Sequence, residues 1–228
     1  MKALFFKGRN IKILMFLLPA MLSAQENKVG NWLMYFGTNK VSDKFSIHTE
    51  IQFRNHTITP NNTEQLLLRT GLNYHFSENA FVTSGYAYIS SYVFKSEQKS
   101  PKTEEHRIWL QFISTNKIGR AKLEHRYRME QRWVNQVYKN RFRYRLMLFI
   151  PLNKPKIEGK TWFLGLYDEV FINDKDTFFD RNRLYGALGY QLNKSTSVQA
   201  GMMHQQVNDF GKWYLQFTII INSDFKKN

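Results

Sequence analysis

The chain has 228 residues, of which 16% are aromatic, and it contains only five prolines and twelve glycines. This length corresponds to one domain, and this composition excludes a disordered or collagen-like chain. No cysteine is present, which excludes a disulfide framework, a thiolate metal site and a cysteine nucleophile. The formal net charge of +15 raises the hypothesis of a nucleic-acid partner.

The first residues resemble a secretory signal peptide. Four basic residues (Lys2, Lys7, Arg9 and Lys12) precede the apolar run 13–18, and Ser23-Ala24 ends the segment. The run is too short for a transmembrane anchor, which needs roughly 20 apolar residues. We expect cleavage after Ala24, which lowers the formal charge from +15 to +11. Residues 25–228 then form a single domain.

Beyond the leader, the hydrophobic pattern predicts about eleven strands and no sustained helix. In chain order the predicted strands are Trp32–Val41, Phe45–Ile58, Gln65–Phe76, Ala80–Val93, His106–Ile118, Ala121–Asn135, Arg141–Leu152, Thr161–Asn173, Asn182–Leu192, Ser197–Val207 and Trp213–Phe225.

Polar and apolar residues alternate most clearly in Phe45–Ile58, Ala121–Asn135 and Arg141–Leu152. In Ala121–Asn135 every second residue from Lys122 to Arg132 is charged, and the residues between them include Tyr127 and Met129. This period of two is typical of a strand with one polar and one apolar face. The basic residues are therefore spread along strands of an exported chain, which argues against nucleic-acid binding.

Strand length and aromatic placement favour a membrane barrel over a soluble sandwich or lipocalin-like barrel. The segments run to about 10–14 residues, which suits a tilted membrane crossing of 9–11 residues. Aromatic residues near strand ends suit an interfacial girdle. These residues are Trp32, Trp133, Trp162, Trp213, Tyr74 and Tyr190. Because single-chain bacterial barrels have even strand numbers, we expect an all-β, up-and-down antiparallel transmembrane barrel of about twelve strands, with ten as the next choice.

Several segments together resemble a family of uncharacterised exported bacterial proteins, DUF2490. The segments are Arg141–Leu146, Asp168–Asn173, which contains Glu169, Asp180–Tyr185 and Gly189–Gln191. The family-like positions in the second and third segments are Glu169, Asp180, Arg181, Asn182, Arg183 and Tyr185. The resemblance implies a β-barrel in the outer membrane of a Gram-negative bacterium and no established activity.

The polar strand faces supply the candidate functional residues. In a barrel these faces point into the lumen, and we expect the lumen to be lined by Lys122, Glu124, Arg126, Arg128, Glu130, Arg132, Arg141, Arg143, Arg145, Glu50 and His48. Two interpretations remain open. The charges form an ion-pair network that fills the lumen, or their basic excess allows passive passage of small anions.

Two further alternatives come from other classes of protein. His48, Glu50, His56 and His75 share polar faces of neighbouring strands, which suggests a rim-sited hydrolase acting on lipid or envelope polymer. No Gly-x-Ser-x-Gly motif marks an activated serine. The other alternative is a soluble periplasmic ligand-binding barrel. We expect a monomer whose partners are outer-membrane lipid and small anions, with no cofactor and no bound metal.

Overall fold

A computed structural model describes residues 29–58, 62–94, 101–175 and 177–226. The predicted leader and its cleavage site lie outside these residues. The described chain forms eleven strands and no helix: β1 Val29–Lys40, β2 Phe45–Asn55, β3 Thr63–Ser77, β4 Ala80–Ser91, β5 Thr103–Ile118, β6 Ala121–Val134, β7 Val137–Pro151, β8 Thr161–Asn173, β9 Phe179–Gln191, β10 Thr196–Val207 and β11 Phe210–Asp224. No helix within the described part is long and apolar enough to cross a membrane.

Most strands sort their side chains by the period of two that the sequence predicted. In β6, Arg126, Arg128 and Glu130 are buried, whereas Tyr127 and Met129 are exposed. Because successive side chains of a strand point to opposite faces, a polar-apolar alternation gives the sheet one polar and one apolar face. Here the polar face points inward and most of the apolar side chains point outward.

The sheet closes into a barrel in which β1 pairs with β11. Consecutive strands pair antiparallel, whereas β1 and β11 run parallel over the register Val29↔Trp213 to Lys40↔Asp224. The described barrel therefore has eleven strands, one fewer than the twelve expected, and its closing pair is not antiparallel. A parallel closing pair accommodates an odd strand number, whereas an even number is needed only when every neighbouring pair is antiparallel.

The parallel closure gives the barrel two distinct ends. We call the end where β1 and β11 begin the N-terminal end, and the end where they finish the C-terminal end. Because strands alternate in direction, β2, β4 and β8 finish and β3, β5 and β9 begin at the N-terminal end. The turns 41–44, 78–79 and 119–120 lie at the C-terminal end.

The outer face carries a broad band of exposed apolar side chains. The band includes Leu33, Ile47, Ile51, Phe53, Leu68, Leu72, Ile108, Leu110, Phe112, Tyr127, Met129, Phe142, Leu146, Leu166, Leu184, Leu188, Val198, Phe217 and Ile219. A shallow groove of about 380 Å³ crosses this face between β5 and β8. Soluble monomers rarely expose an apolar surface of this extent.

Aromatic pairs border the apolar band at both ends of the barrel. Phe45 packs on Tyr74 and Trp162 on Tyr190 at the C-terminal end, with ring centroids 5.3 and 4.7 Å apart. Trp133 packs on Tyr138 at the N-terminal end. Trp32 does not belong to this girdle, because its side chain points into the barrel and is only 3% exposed.

The interior holds buried apolar residues beside its charged groups. The apolar cluster comprises Trp32, Met34, Met147, Tyr185, Ala187, Met203 and Tyr214. A second, smaller group on β3 to β5 contains Leu67, Ala87, Ile89 and Trp109, and Trp109 packs against Gly71 and Gly85. A Cβ at Gly85 would lie 2.8 Å from Trp109 Cε2 and closer still to the Thr70 carbonyl, so only glycine leaves room for the indole.

Candidate functional site

The candidate site is a cavity of about 350 Å³ inside the barrel. Its described lining contains eleven arginines: Arg54, Arg69, Arg107, Arg126, Arg128, Arg132, Arg141, Arg143, Arg145, Arg181 and Arg183. Six described carboxylates form ion pairs with these guanidinium groups: Glu50, Glu105, Glu124, Glu130, Glu169 and Asp180. The arginines therefore outnumber the carboxylates that pair with them.

The structure brings together most of the residues proposed to line the lumen. The following line the cavity: His48, Glu50, Glu124, Arg126, Arg128, Arg132, Arg141, Arg143 and Arg145. Glu130 is completely buried behind this surface. Lys122, near the start of β6, is exposed instead, and its ammonium lies 5.7 Å from the centroid of Phe149.

Glu130 is the centre of the ion-pair network. Arg141 donates to its Oε2 from Nη2 at 2.7 Å, and Arg143 donates to its Oε1 from Nη1 at 2.7 Å. Arg107 on β5 donates to Oε1 at 3.0 Å. A carboxylate with no solvent exposure is stabilised by this arrangement, since a buried charge needs partners that satisfy its lone pairs.

Two further carboxylates extend the network around the wall. Glu169 on β8 accepts from Arg126 at 2.6 Å and from Arg143 at 2.7 Å. Glu105 on β5 accepts from Arg132 at 2.6 and 2.9 Å, a bidentate pair. The network consequently joins β5, β6, β7 and β8 from inside.

A separate group on β2 and β3 surrounds Glu50. Arg69 Nη1 donates to both oxygens of this carboxylate, at 2.7 and 3.0 Å, and Gln52 donates to Oε1 at 2.5 Å. His48 Nε2 lies 3.1 Å from Oε2. Arg69, Gln52 and His48 therefore all contact one acid, which makes Glu50 a structural anchor for Arg69.

The family-like positions are distributed over both faces of the sheet. Asp180 accepts from Arg141 at 3.1 Å and from Arg181 at 2.8 Å inside the barrel. Asn182 points outward and donates to Asp168 at 2.5 Å. Tyr185 belongs to the apolar cluster, where its ring stacks on Tyr167. These residues therefore do not converge on one catalytic centre.

Two arginines of the lining have no carboxylate partner. No described carboxylate lies within 4.0 Å of Arg54 or Arg183, which instead bond to glutamines. The Cζ atoms of both lie over the Trp32 ring, at 3.8 and 4.9 Å from its centroid. The alternation of β2 already places Arg54 on the polar face. That Arg54 has no carboxylate partner depends on strands distant in sequence, so the sequence could not predict it.

The histidines do not assemble a catalytic triad. His75 Nε2 bonds to Ser46 Oγ at 2.8 Å, and Asn73 donates to the same oxygen. Ser46 is buried, and none of the ion pairs among the described residues involves His75. His56 lies 3.8 Å from Glu64, away from this pair. No cluster of three or more His, Asp or Glu within the described part is placed to hold a metal ion.

An exposed ion pair lies outside the strands, beside the closing seam. Lys226, just after β11, donates to Asp43 in the turn between β1 and β2 at 3.0 Å. The hydrogen bond and charge of this ammonium lower the pKa of the Asp43 carboxyl. Because Asp43 is fully solvated, this contact contributes little to stability.

Comparison with known proteins gives a family but no function. A family model described as a protein of unknown function (DUF2490) matches residues 29–216, which is most of the described barrel. No curated protein and no solved structure matches the chain.

Proposed function

Because the chain belongs to the DUF2490 family of proteins of unknown function, we propose its role from its geometry: an outer-membrane β-barrel that admits small anions to its lumen. The observation that carries the proposal is the charge balance of the cavity wall, where eleven described arginines face fewer carboxylates. Fixed positive charge lowers the electrostatic barrier to anions and raises it for cations.

The outer surface supports the membrane part of this proposal. Residues such as Leu33, Leu110 and Phe217 expose large apolar side chains at the middle of their strands, and aromatic pairs border them at both ends. An apolar band between two aromatic girdles suits a bilayer and its interfaces. The predicted leader would deliver the chain across the inner membrane.

The ion-pair network supports the second interpretation, in which the barrel has a structural role. Arg143 and Arg141 are held by Glu130, so these guanidinium groups already have their counter-charge. If such pairs fill the cross-section, the lumen excludes solutes and the barrel serves as a rigid membrane anchor. The two interpretations differ in whether the purified barrel conducts ions.

The test is conductance of the protein in planar lipid bilayers under a salt gradient. We expect a reversal potential that favours anions, and we expect this preference to weaken in concentrated salt, where the Debye length falls to about 3 Å at 1 M. Arg54→Gln with Arg183→Gln should reduce the preference, because these groups have no carboxylate partner. Arg143→Glu and Arg145→Glu are less suitable, since both arginines form ion pairs.

The matched control removes the same charge outside the lumen. Arg120→Gln with Lys156→Gln changes two exposed residues in the turns at the C-terminal end and should leave the selectivity of the barrel unchanged. Absence of conductance in bilayers that contain folded protein would reject the passage proposal and favour the structural role.

A further inference from the structure

We propose that Arg54, Arg183 and Trp32 form a binding site for the carboxylate of an organic anion with an apolar body. The site lies in the lumen near the N-terminal end, where β1 and β9 begin and β2 finishes. This site deepens the proposed function. It rests on that function in one respect only, which is that small anions must reach the lumen.

The first support is the pair of guanidinium groups. Arg183 uses Nε to donate to Gln205 at 2.8 Å, and within the described residues this is its one hydrogen bond. Arg54 donates to Gln52 and Gln65. Guanidinium groups offer five N–H donors in a planar fork that matches a carboxylate, so donors remain for a ligand.

The second support is an unsatisfied donor on the same wall. Trp32 lines the cavity, and its Nε1 is buried without any hydrogen-bond partner. Buried polar groups are nearly always hydrogen-bonded, and an unpaired donor carries a desolvation cost. An anion held by the two arginines would bring a counter-charge and a hydrogen-bond acceptor to the wall that carries this indole.

The third support is the contrast with the paired arginines. Arg107, Arg141 and Arg143 share Glu130, and each also pairs with a second carboxylate, which is Glu105, Asp180 and Glu169 in that order. Arg54 and Arg183 approach the same indole, and neither forms an ion pair within 4.0 Å with a described carboxylate. Two like charges beside one ring repel each other, and a bound anion would relieve this repulsion.

The apolar cluster next to the site indicates the kind of anion. Met34 follows Trp32 by two residues on the same face of β1, and Tyr185 follows Arg183 in the same way on β9. Both belong to the buried apolar cluster and both line the cavity. A ligand with a carboxylate on the arginines would place its body against these side chains. The cavity, at about 350 Å³, lies at the lower end of the range for small-molecule pockets.

The test is titration calorimetry of the refolded full-length barrel in detergent with benzoate, acetate and inorganic phosphate. We expect saturable binding of benzoate, and weaker binding of acetate and phosphate, which offer little or no apolar surface. Arg54→Gln and Arg183→Gln should each weaken benzoate binding about tenfold or more, since each removes hydrogen bonds to a charged group. Trp32→Phe keeps a ring but loses the N–H and should also weaken binding.

The matched control is Arg120→Gln, which removes one positive charge from an exposed turn and should bind benzoate like the wild type. Arg183→Lys keeps the charge without the fork and should still bind less tightly than the wild type. Folding of each variant is checked by circular dichroism and heat-modifiable gel mobility. If a variant does not fold, the comparison of benzoate with acetate and phosphate on the wild-type protein still tests the site.

The outcomes separate this site from the proposed function. Benzoate binding that is unchanged in the folded Arg54 and Arg183 variants, or phosphate binding as tight as benzoate binding, would overturn the site. No saturable binding in a barrel that conducts anions would reject the site alone. If the barrel does not conduct ions but binds benzoate saturably and through the two arginines, the site is supported and only the passage of anions is rejected.

Discussion

Arg143 and Glu169 join β7 to β8 inside the barrel, with Arg143 Nη2 donating to Glu169 Oε1 at 2.7 Å. The same guanidinium donates to Glu130 through Nη1, so one arginine links carboxylates on the strands either side of it. Their burial makes the pairs dependent on each other, because loss of one carboxylate leaves guanidinium charge uncompensated in a poorly solvated interior.

This dependence predicts a large effect at Glu130. Glu130→Gln removes the charge shared by Arg107, Arg141 and Arg143 and should lower the free energy of unfolding by about 3–5 kcal/mol. Urea unfolding of the wild-type and variant barrels, refolded in lipid vesicles, measures this loss of unfolding free energy. Glu158→Gln, at an exposed loop ion pair, is the control and should have little effect. Equal effects at the two sites would contradict a buried network.

The two faces of β6 predict opposite responses to added charge. Tyr127→Arg or Met129→Arg should lower the free energy of unfolding in a bilayer by about 2–4 kcal/mol, because these exposed side chains lie mid-strand on the apolar face. Ile118→Arg, beside a turn, is the matched control and should cost about 0–1 kcal/mol. Similar costs at all three positions would show that this face does not meet lipid.

The parallel closing pair predicts a specific cross-link. Leu33 and Phe217 are register partners on the outer face, with exposed fractions of 49% and 50%. Leu33→Cys with Phe217→Cys should form a disulfide under mild oxidation, and the chain contains no cysteine that would compete. Leu33→Cys with Ile221→Cys, four residues out of register, should not. Free thiols in the first variant would show that the barrel closes differently.

The apolar outer band predicts where the protein is found after cell fractionation. We expect it to stay with the outer membranes through a high-salt wash, because apolar contact with lipid is not screened by salt. On gels it should migrate differently with and without heating. Recovery in the soluble periplasmic fraction would instead favour a soluble binding barrel.

The sequence alone determined the strand positions and the sorting of their faces. All eleven predicted segments correspond to observed strands, and Thr161–Asn173 coincides with β8 at both ends. The reason is local: a strand repeats every two residues, so the order of polar and apolar residues sets the face of each side chain. Arg126 and Tyr127 could therefore be assigned to opposite faces before any fold was known.

Only the tertiary structure decided the closure of the barrel, the charge partners and the unpaired groups. Trp32 lies near a strand end like the girdle tryptophans, yet it points inward. The order of polar and apolar residues could not select its face, because β1 carries apolar side chains on both faces from Trp32 to Phe36. Glu130 and Arg107 are 23 residues apart, and nothing local selects one carboxylate over another. For the same reason, the parallel closing pair and the two arginines without a carboxylate follow from how the sheet curls and closes, not from any single segment.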